Sequence, residues 1–162
     1  MRRILIVVCI QISVLTSSCG DGSSGGSINL LYVVDASSSQ IATFKVASDG
    51  ALTSENSFSV TTGPHAIVFT SDKKFAYVVS SGSNNIQVYS VSSKDGSLTS
   101  SSSSASTGTD PVSLSIAPSG KFLFVGNSSS TNISAYTIDS SIGPNSSERS
   151  WVIRSLLSAE PC

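Results

Sequence analysis

The sequence predicts an all-β fold, a partial β-propeller of four-stranded antiparallel blades, on three observations. The first is a repeat. Pro64 recurs as Pro111, Tyr77 as Phe124, Ile86 as Ile133, Tyr89 as Tyr136 and Gly96 as Gly143, each pair 47 residues apart with no insertion between them. A shorter copy precedes these, with Tyr32, Ile41 and Phe44 lying 45 residues before Tyr77, Ile86 and Tyr89. The second observation is that each copy divides into short apolar segments separated by turn residues, four strands to a unit. The third is the period itself, which marks units that bury their faces by stacking on their neighbours. The repeated part, residues 28–143, amounts to about 2.5 such units.

In chain order, residues 1–18 read as a lipoprotein signal peptide. Met1, Arg2 and Arg3 form a basic start, and Ile4–Leu15 is an apolar run interrupted only by Gln11 and Ser13, too short for a permanent membrane helix. Thr16-Ser17-Ser18-Cys19 then places small residues before a cysteine, which resembles the lipidation box of bacterial lipoproteins, with Thr16 where Leu is preferred. That makes Cys19 the lipidated first residue of the mature chain, anchored in a bacterial membrane, and the residue after it, Gly20, favours the outer membrane or cell surface. The alternative is an ordinary secretory signal ending near a cysteine. Residues 19–27 are a polar, flexible tether of the kind a lipid-anchored domain needs. Cys9 would leave with the signal and Cys19 would be acylated, so Cys162 has no disulfide partner. Loss of Arg2 and Arg3 leaves seven basic residues against ten acidic ones, with no basic patch, which excludes nucleic acid as a natural partner.

Within the repeats, LLYVV, FAYVV and FLFVG carry apolar residues on both faces, as a strand sandwiched between neighbouring blades requires. QIATFKV, NIQVYSV and NISAYTI alternate more, as strands nearer the rim do. DASSS, SSGSN and NSSST join these pairs as hairpin turns. Asp49-Gly50 and Asp95-Gly96 supply positive φ ahead of the outermost strand, and the serine run Ser100–Ser104 is an outer strand plus loop. After Gly143 the pattern stops. Residues 144–162 form a non-repeat tail in which Val152, Ile153, Leu156 and Leu157 share one side of a short helix spanning 147–157. Two readings stand for this tail: a helix capping the open array, or read-through sequence after a frameshift, which the absence of any repeat residue favours.

The phrase from Pro111 to Tyr136, with Gly120-Lys121-Phe122-Leu123-Phe124-Val125 and Asn132-Ile133 inside it, resembles the repeats of the seven-bladed lactonase-family propellers. These are similar to cytosolic 6-phosphogluconolactonases and to the YVTN propellers of surface proteins. The resemblance implies sugar-lactone hydrolysis for a complete member. It also implies that the chain opens at the second strand of a blade, as INLLYVVD does here, leaving the inner strand to the C-terminus. The family often shows Pro-His-Ser-Val followed by Tyr-Val-x-Asp-Leu-Gly; this chain has Pro64-His65-Ala66-Ile67, then Tyr77-Val78-Val79-Ser80-Ser81-Gly82. His65 matches and becomes the candidate catalytic base, while Ser80 stands where the resemblance implies an acid. The further acid, arginine and second histidine that it implies belong to later blades.

His65 is the chain's only histidine. A general base needs a partner to orient it, and the competing reading is a polar residue at the start of an inner strand. There is no phosphate loop, metal-spaced Cys/His cluster or Gly-x-Ser-x-Gly elbow, so no cofactor or metal is expected. The rival to an inactive lactonase-like fragment is a non-catalytic envelope propeller that binds a protein or polysaccharide. An arc of this length also leaves apolar blade faces uncovered, which predicts self-association.

Overall fold

The computed structural model describes residues 5–12, 28–139 and 152–155. Twelve strands are present among them and no helix: β1 (Leu5–Ile12), β2 (Ile28–Asp35), β3 (Gln40–Val46), β4 (Leu52–Ser59), β5 (Pro64–Phe69), β6 (Phe75–Ser80), β7 (Asn85–Val91), β8 (Leu98–Ser106), β9 (Pro111–Ile116), β10 (Phe122–Asn127), β11 (Asn132–Asp139) and β12 (Val152–Ser155). They form three four-stranded antiparallel sheets, ordered β1-β2-β3-β4, β5-β6-β7-β8 and β9-β10-β11-β12. The ten strands β2–β11 come from the repeated sequence. That is two and a half blades, as the periodicity predicts.

The turn chemistry acts where the sequence places it. Gly50 and Gly96 have φ of 86° and 71°, the left-handed region that a Cβ disfavours. Asp49 and Asp95 accept hydrogen bonds from the main-chain nitrogens of Ala51 and Ser97 at 2.9 and 3.1 Å, closing each turn locally. The serine run is strand β8, held to β7 by the ladder and by Gln87, whose amide donates to the carbonyls of Ser101 and Ser103.

Two apolar joints hold the sheets together. In the first, Tyr32, Val34 and Ile41 of the first sheet pack on Ala76, Val78 and Tyr89 of the second. In the second joint, Tyr77, Val79 and Ile86 pack on Leu123, Val125 and Tyr136 of the third. Two tyrosines add a hydrogen bond across each joint: Tyr32 donates to the Gly96 carbonyl and Tyr136 to the Ser106 carbonyl, both at 2.6 Å. Burial raises the pKa of both hydroxyls, which keeps them as donors. Tyr77, equivalent to Tyr32, is buried with its hydroxyl unpartnered among the described residues.

Two strands depart from the sequence reading. The first copy starts at its second strand, yet the innermost place in its sheet is filled. Residues 5–12, read as the signal's apolar run, form β1 and pair with β2 from Leu5↔Asp35 to Ile12↔Ile28. The run is rich in Ile and Val, which suit a strand, and β2 offers an unpaired edge. The tail differs likewise: Val152–Ser155, expected within a short helix, is strand β12, paired with β11 from Asp139↔Val152 to Tyr136↔Ser155. Its β-branched Val152 and Ile153 satisfy the open edge of β11, a tertiary demand that outweighs a weak helical spacing. Cys19, the tether 19–27 and the remainder of the tail lie outside the described residues.

Candidate functional site

The candidate site sits at the end of the second sheet where β5 begins and β6 stops. Pro64 pairs with Ser80 and Ala66 with Val79, so His65 is the extra residue of a β-bulge and is half-buried. Bulges re-aim side chains and cluster beside active sites. This one is also a property of the repeat. In the third sheet Asn127 pairs with Pro111 and Gly126 with Ser113, leaving Val112 as the bulged residue 47 positions after His65. The bulge therefore belongs to the architecture, and only the imidazole is particular to this blade. No hydrogen bond to another described residue fixes that imidazole.

Ser80 is fully buried, and its hydroxyl shares a hydrogen bond with the Thr61 hydroxyl. It faces the loop before β5, which is built for close approach. Gly63 has φ of 67°, and a Cβ there would stand 2.9 Å from the Gly82 nitrogen. The Ser81 nitrogen donates to the Gly63 carbonyl at 2.8 Å, tying the two loops together beside His65.

The same repeat position ends the second strand of every sheet, as Asp35, Ser80 and Asn127. Asp35 accepts from the Ser37 and Ser38 nitrogens at 2.9 and 3.4 Å, and these bonds hold its carboxyl below its ordinary pKa. Asn127 is buried and donates to Asn132 Oδ1 and Ser134 Oγ at 2.9 and 3.0 Å, while its own Oδ1 has no partner among the described residues. Strand-end carboxylate, hydroxyl and amide thus occupy one equivalent place, an alignment that the 45- and 47-residue spacings already contain. Sequence reasoning also passed over Asp110, which precedes β9. Its carboxylate accepts from Ser128 and Ser129 hydroxyls at 2.8 and 3.3 Å, and its nitrogen donates to Asn84 Oδ1 at 2.8 Å. Asp110 stands 47 residues after Gly63, so it marks the same corner of the neighbouring blade.

Among the described residues no group of His, Cys, Asp and Glu is placed to hold a metal, and no helix is long and apolar enough to cross a membrane. A cleft of about 450 Å3 lies at the opposite end, between the turn at Thr70–Asp72 and the turn at Pro118–Lys121. The Asp72 carboxylate in that cleft already accepts from Thr70 Oγ1 at 2.6 Å, and nothing there joins it to His65.

The family model described as "Lactonase, 7-bladed beta-propeller" matches residues 26–149. The chain belongs to this family. No curated protein sequence matches it significantly. Among solved structures it is similar to a putative 6-phosphogluconolactonase from Bacteroides fragilis, at TM-score 0.67 and 21% identity, over 79% of this chain and 35% of that one. It is similar also to the periplasmic gluconolactonase of Pseudomonas aeruginosa, at TM-score 0.65 and 21% identity, over 78% and 35%. Hydrazine synthase from Kuenenia stuttgartiensis follows at TM-score 0.52 and 27% identity, over 68% and 30%. This lactonase-family chain therefore spans about a third of the length of these structures. Names as different as gluconolactonase and hydrazine synthase on one architecture show that the blades carry the fold, and chemistry resides in their particular side chains.

Proposed function

We propose that the chain is an exported, lipid-anchored segment of a lactonase-type propeller, in which sugar-lactone hydrolysis belongs to a complete ring and these three sheets alone are inactive. The family and the two gluconolactonase-named neighbours support the substrate class. The observation that carries the inactivity is the state of the site: among the described residues no hydrogen bond orients His65, and Ser80, where an acid is implied, is tied to Thr61. Opening a lactone needs an activated water and a group that stabilises the tetrahedral oxyanion, held together. Preorganised geometry of that kind supplies roughly 7–11 kcal/mol of barrier lowering, and a lone imidazole on one arc of the channel supplies little of it.

The test is loss of gluconolactone and 6-phosphogluconolactone followed by NMR, wild type beside His65→Ala, corrected for spontaneous hydrolysis. Equal rates for both proteins are expected. Turnover above background that disappears in His65→Ala overturns the reading. Export with a lipid at Cys19 rests on the N-terminal pattern, and labelled palmitate should enter the wild type and not Cys19→Ala. In that reading processing removes β1 and opens the inner edge of β2. A non-catalytic propeller binding an envelope protein or polysaccharide is the second reading, favoured by the buried, hydrogen-bonded Ser80 in place of an acid. Retention on immobilised envelope polysaccharide that survives His65→Ala would support it.

A further inference from the structure

We infer that residues 61 and 80 act as one size-matched pair, which ties the crossover loop leading into His65 and sets which polar group can stand inward at the strand end beside it. The repeat supplies the comparison. Thr61 and Ser80 recur 47 residues on as Gly108 and Asn127. Both crossover loops are held by the same main-chain bonds. The Ser81 nitrogen donates to the Gly63 carbonyl and the Ser128 nitrogen to the Asp110 carbonyl, each at 2.8 Å. The Val60 nitrogen donates to the Ser39 carbonyl and the Thr107 nitrogen to the Asn84 carbonyl, each at 3.0 Å. A neighbouring side-chain bond repeats as well, the Ser83 hydroxyl to Asn85 Oδ1 at 2.8 Å and the Ser130 hydroxyl to Asn132 Oδ1 at 3.0 Å. One frame therefore encloses two different fillings.

In the second sheet the Thr61 and Ser80 hydroxyls bond each other across the gap. In the third, Asn127 reaches further, donating to Asn132 Oδ1 and Ser134 Oγ, and Ser134 in turn accepts from the Gly108 nitrogen at 3.3 Å. That reach requires Gly108. A Cβ at 108 would stand 2.7 Å from Asn127 Cγ and Nδ2, closer than such atoms pack. Gly108 is not among the residues with positive φ, so its backbone makes no demand for glycine. Space does. The converse holds at Thr61, whose Cβ takes up that space and leaves room at position 80 for a hydroxyl only. Aspartate has the shape of asparagine, so an inward acid at position 80 would meet Thr61 as Asn127 would meet a Cβ at 108. The acid that the family resemblance implies is thus excluded by two residues acting together. The bearing of this on lactone chemistry rests on the function proposed above, whereas the size rule itself does not.

Urea unfolding of the full chain, followed by β-sheet circular dichroism, tests the rule in both sheets and is separate from the lactone assay. Asparagine probes the shape without adding a charge. Ser80→Asn should lower the folded-to-unfolded ratio about 10-fold or more, as overpacking does. On a Thr61→Gly background the same substitution should lower it about twofold at most, because the amide then has the room that Gly108 gives Asn127. In the third sheet Gly108→Ala should lower the ratio about 10-fold, and on an Asn127→Ser background most of that loss should disappear. Should Ser80→Asn alone fail to fold, folding of the double variant Thr61→Gly/Ser80→Asn is the rescue expected. Equal losses from Ser80→Asn with and without Thr61, or from Gly108→Ala with and without Asn127, would show the positions to be independent and would overturn the inference. A Gly108→Ala variant as stable as the wild type overturns it as well.

Discussion

The strands β6, FAYVVS, and β10, FLFVGN, hold the same place in successive repeats and meet solvent differently. All six residues of β6 are buried, whereas β10 alternates, with Leu123, Val125 and Asn127 buried and Phe122 and Phe124 exposed. The sequences are nearly equivalent in hydrophobicity, so the difference comes from position in the stack. The second sheet has a neighbour on each side, and the third has one described neighbour. A two-sided apolar strand is thus a statement about how many sheets a blade expects to touch. In β10 that expectation is half met among the described residues, which leaves Phe122 and Phe124 exposed.

Truncating the same residue in each sheet should break the symmetry most strongly. Ile86→Ala removes a fully buried side chain and should cost about 2–5 kcal/mol. Ile133→Ala, at the exposed equivalent, should stay within about 0.5 kcal/mol in dilute solution. Urea denaturation of the two variants compares them directly, and equal losses would mean that both faces are covered in the isolated chain.

The glycines sharpen the comparison at the next level. Gly63 and Gly120 both have left-handed φ, 67° and 70°, but a Cβ at Gly63 meets the Gly82 backbone at 2.9 Å while one at Gly120 meets nothing within 4 Å. Gly120→Ala should cost about 1–2 kcal/mol from φ alone. Gly63→Ala should cost more than that, because backbone must move beside His65. Among the joint tyrosines, Tyr136→Phe loses the bond to Ser106 and should cost about 1 kcal/mol.

The smallest effects concern pH. Burial raises the pKa of Tyr32, Tyr77 and Tyr136, the first two further through nearby Asp95 and Asp72. A raised folded pKa gives stability that is whole below about pH 10, where unfolded tyrosine titrates, and lost as pH rises beyond it. Asp35 and Asp95 have lowered pKa values, from the Ser37 nitrogen and the Ser92 hydroxyl first. Their contribution is present above about pH 4 and lost as pH falls through the folded values. Both carboxylates are exposed, so the acid slope should be shallow and the alkaline one steeper. Thermal melts from pH 3 to 11 read both slopes.

Much of the fold was legible because it is local and repeated. The 45- and 47-residue periods placed strands, Asp-Gly turns and the serine-rich outer strand before any contact was known. β1 and β12 were not legible, since each answers an unpaired sheet edge rather than its own pattern. An apolar Ile/Val run serves equally as a leader and as a strand, and the four-residue spacing of the tail was too short to hold a helix. Of the candidate site, the sequence singled out His65 through its family motif. Its bulge, the equivalence of Asp35, Ser80 and Asn127, and the corner carboxylate Asp110 emerge only when the copies are laid on one another.

The most direct test uses the two isoleucines that the repeat makes equivalent. A dissolved paramagnetic agent relaxes methyl protons according to their solvent exposure, and the δ1 methyls of Ile86 and Ile133 report the covered and uncovered forward faces in one spectrum. Ile86, with no exposed surface, should be unaffected at every protein concentration, and Ile133, 66% exposed, should relax rapidly in dilute solution. Protection of Ile133 at all dilutions, or relaxation of Ile86 at the same rate, would contradict the stacking from which the whole reading follows.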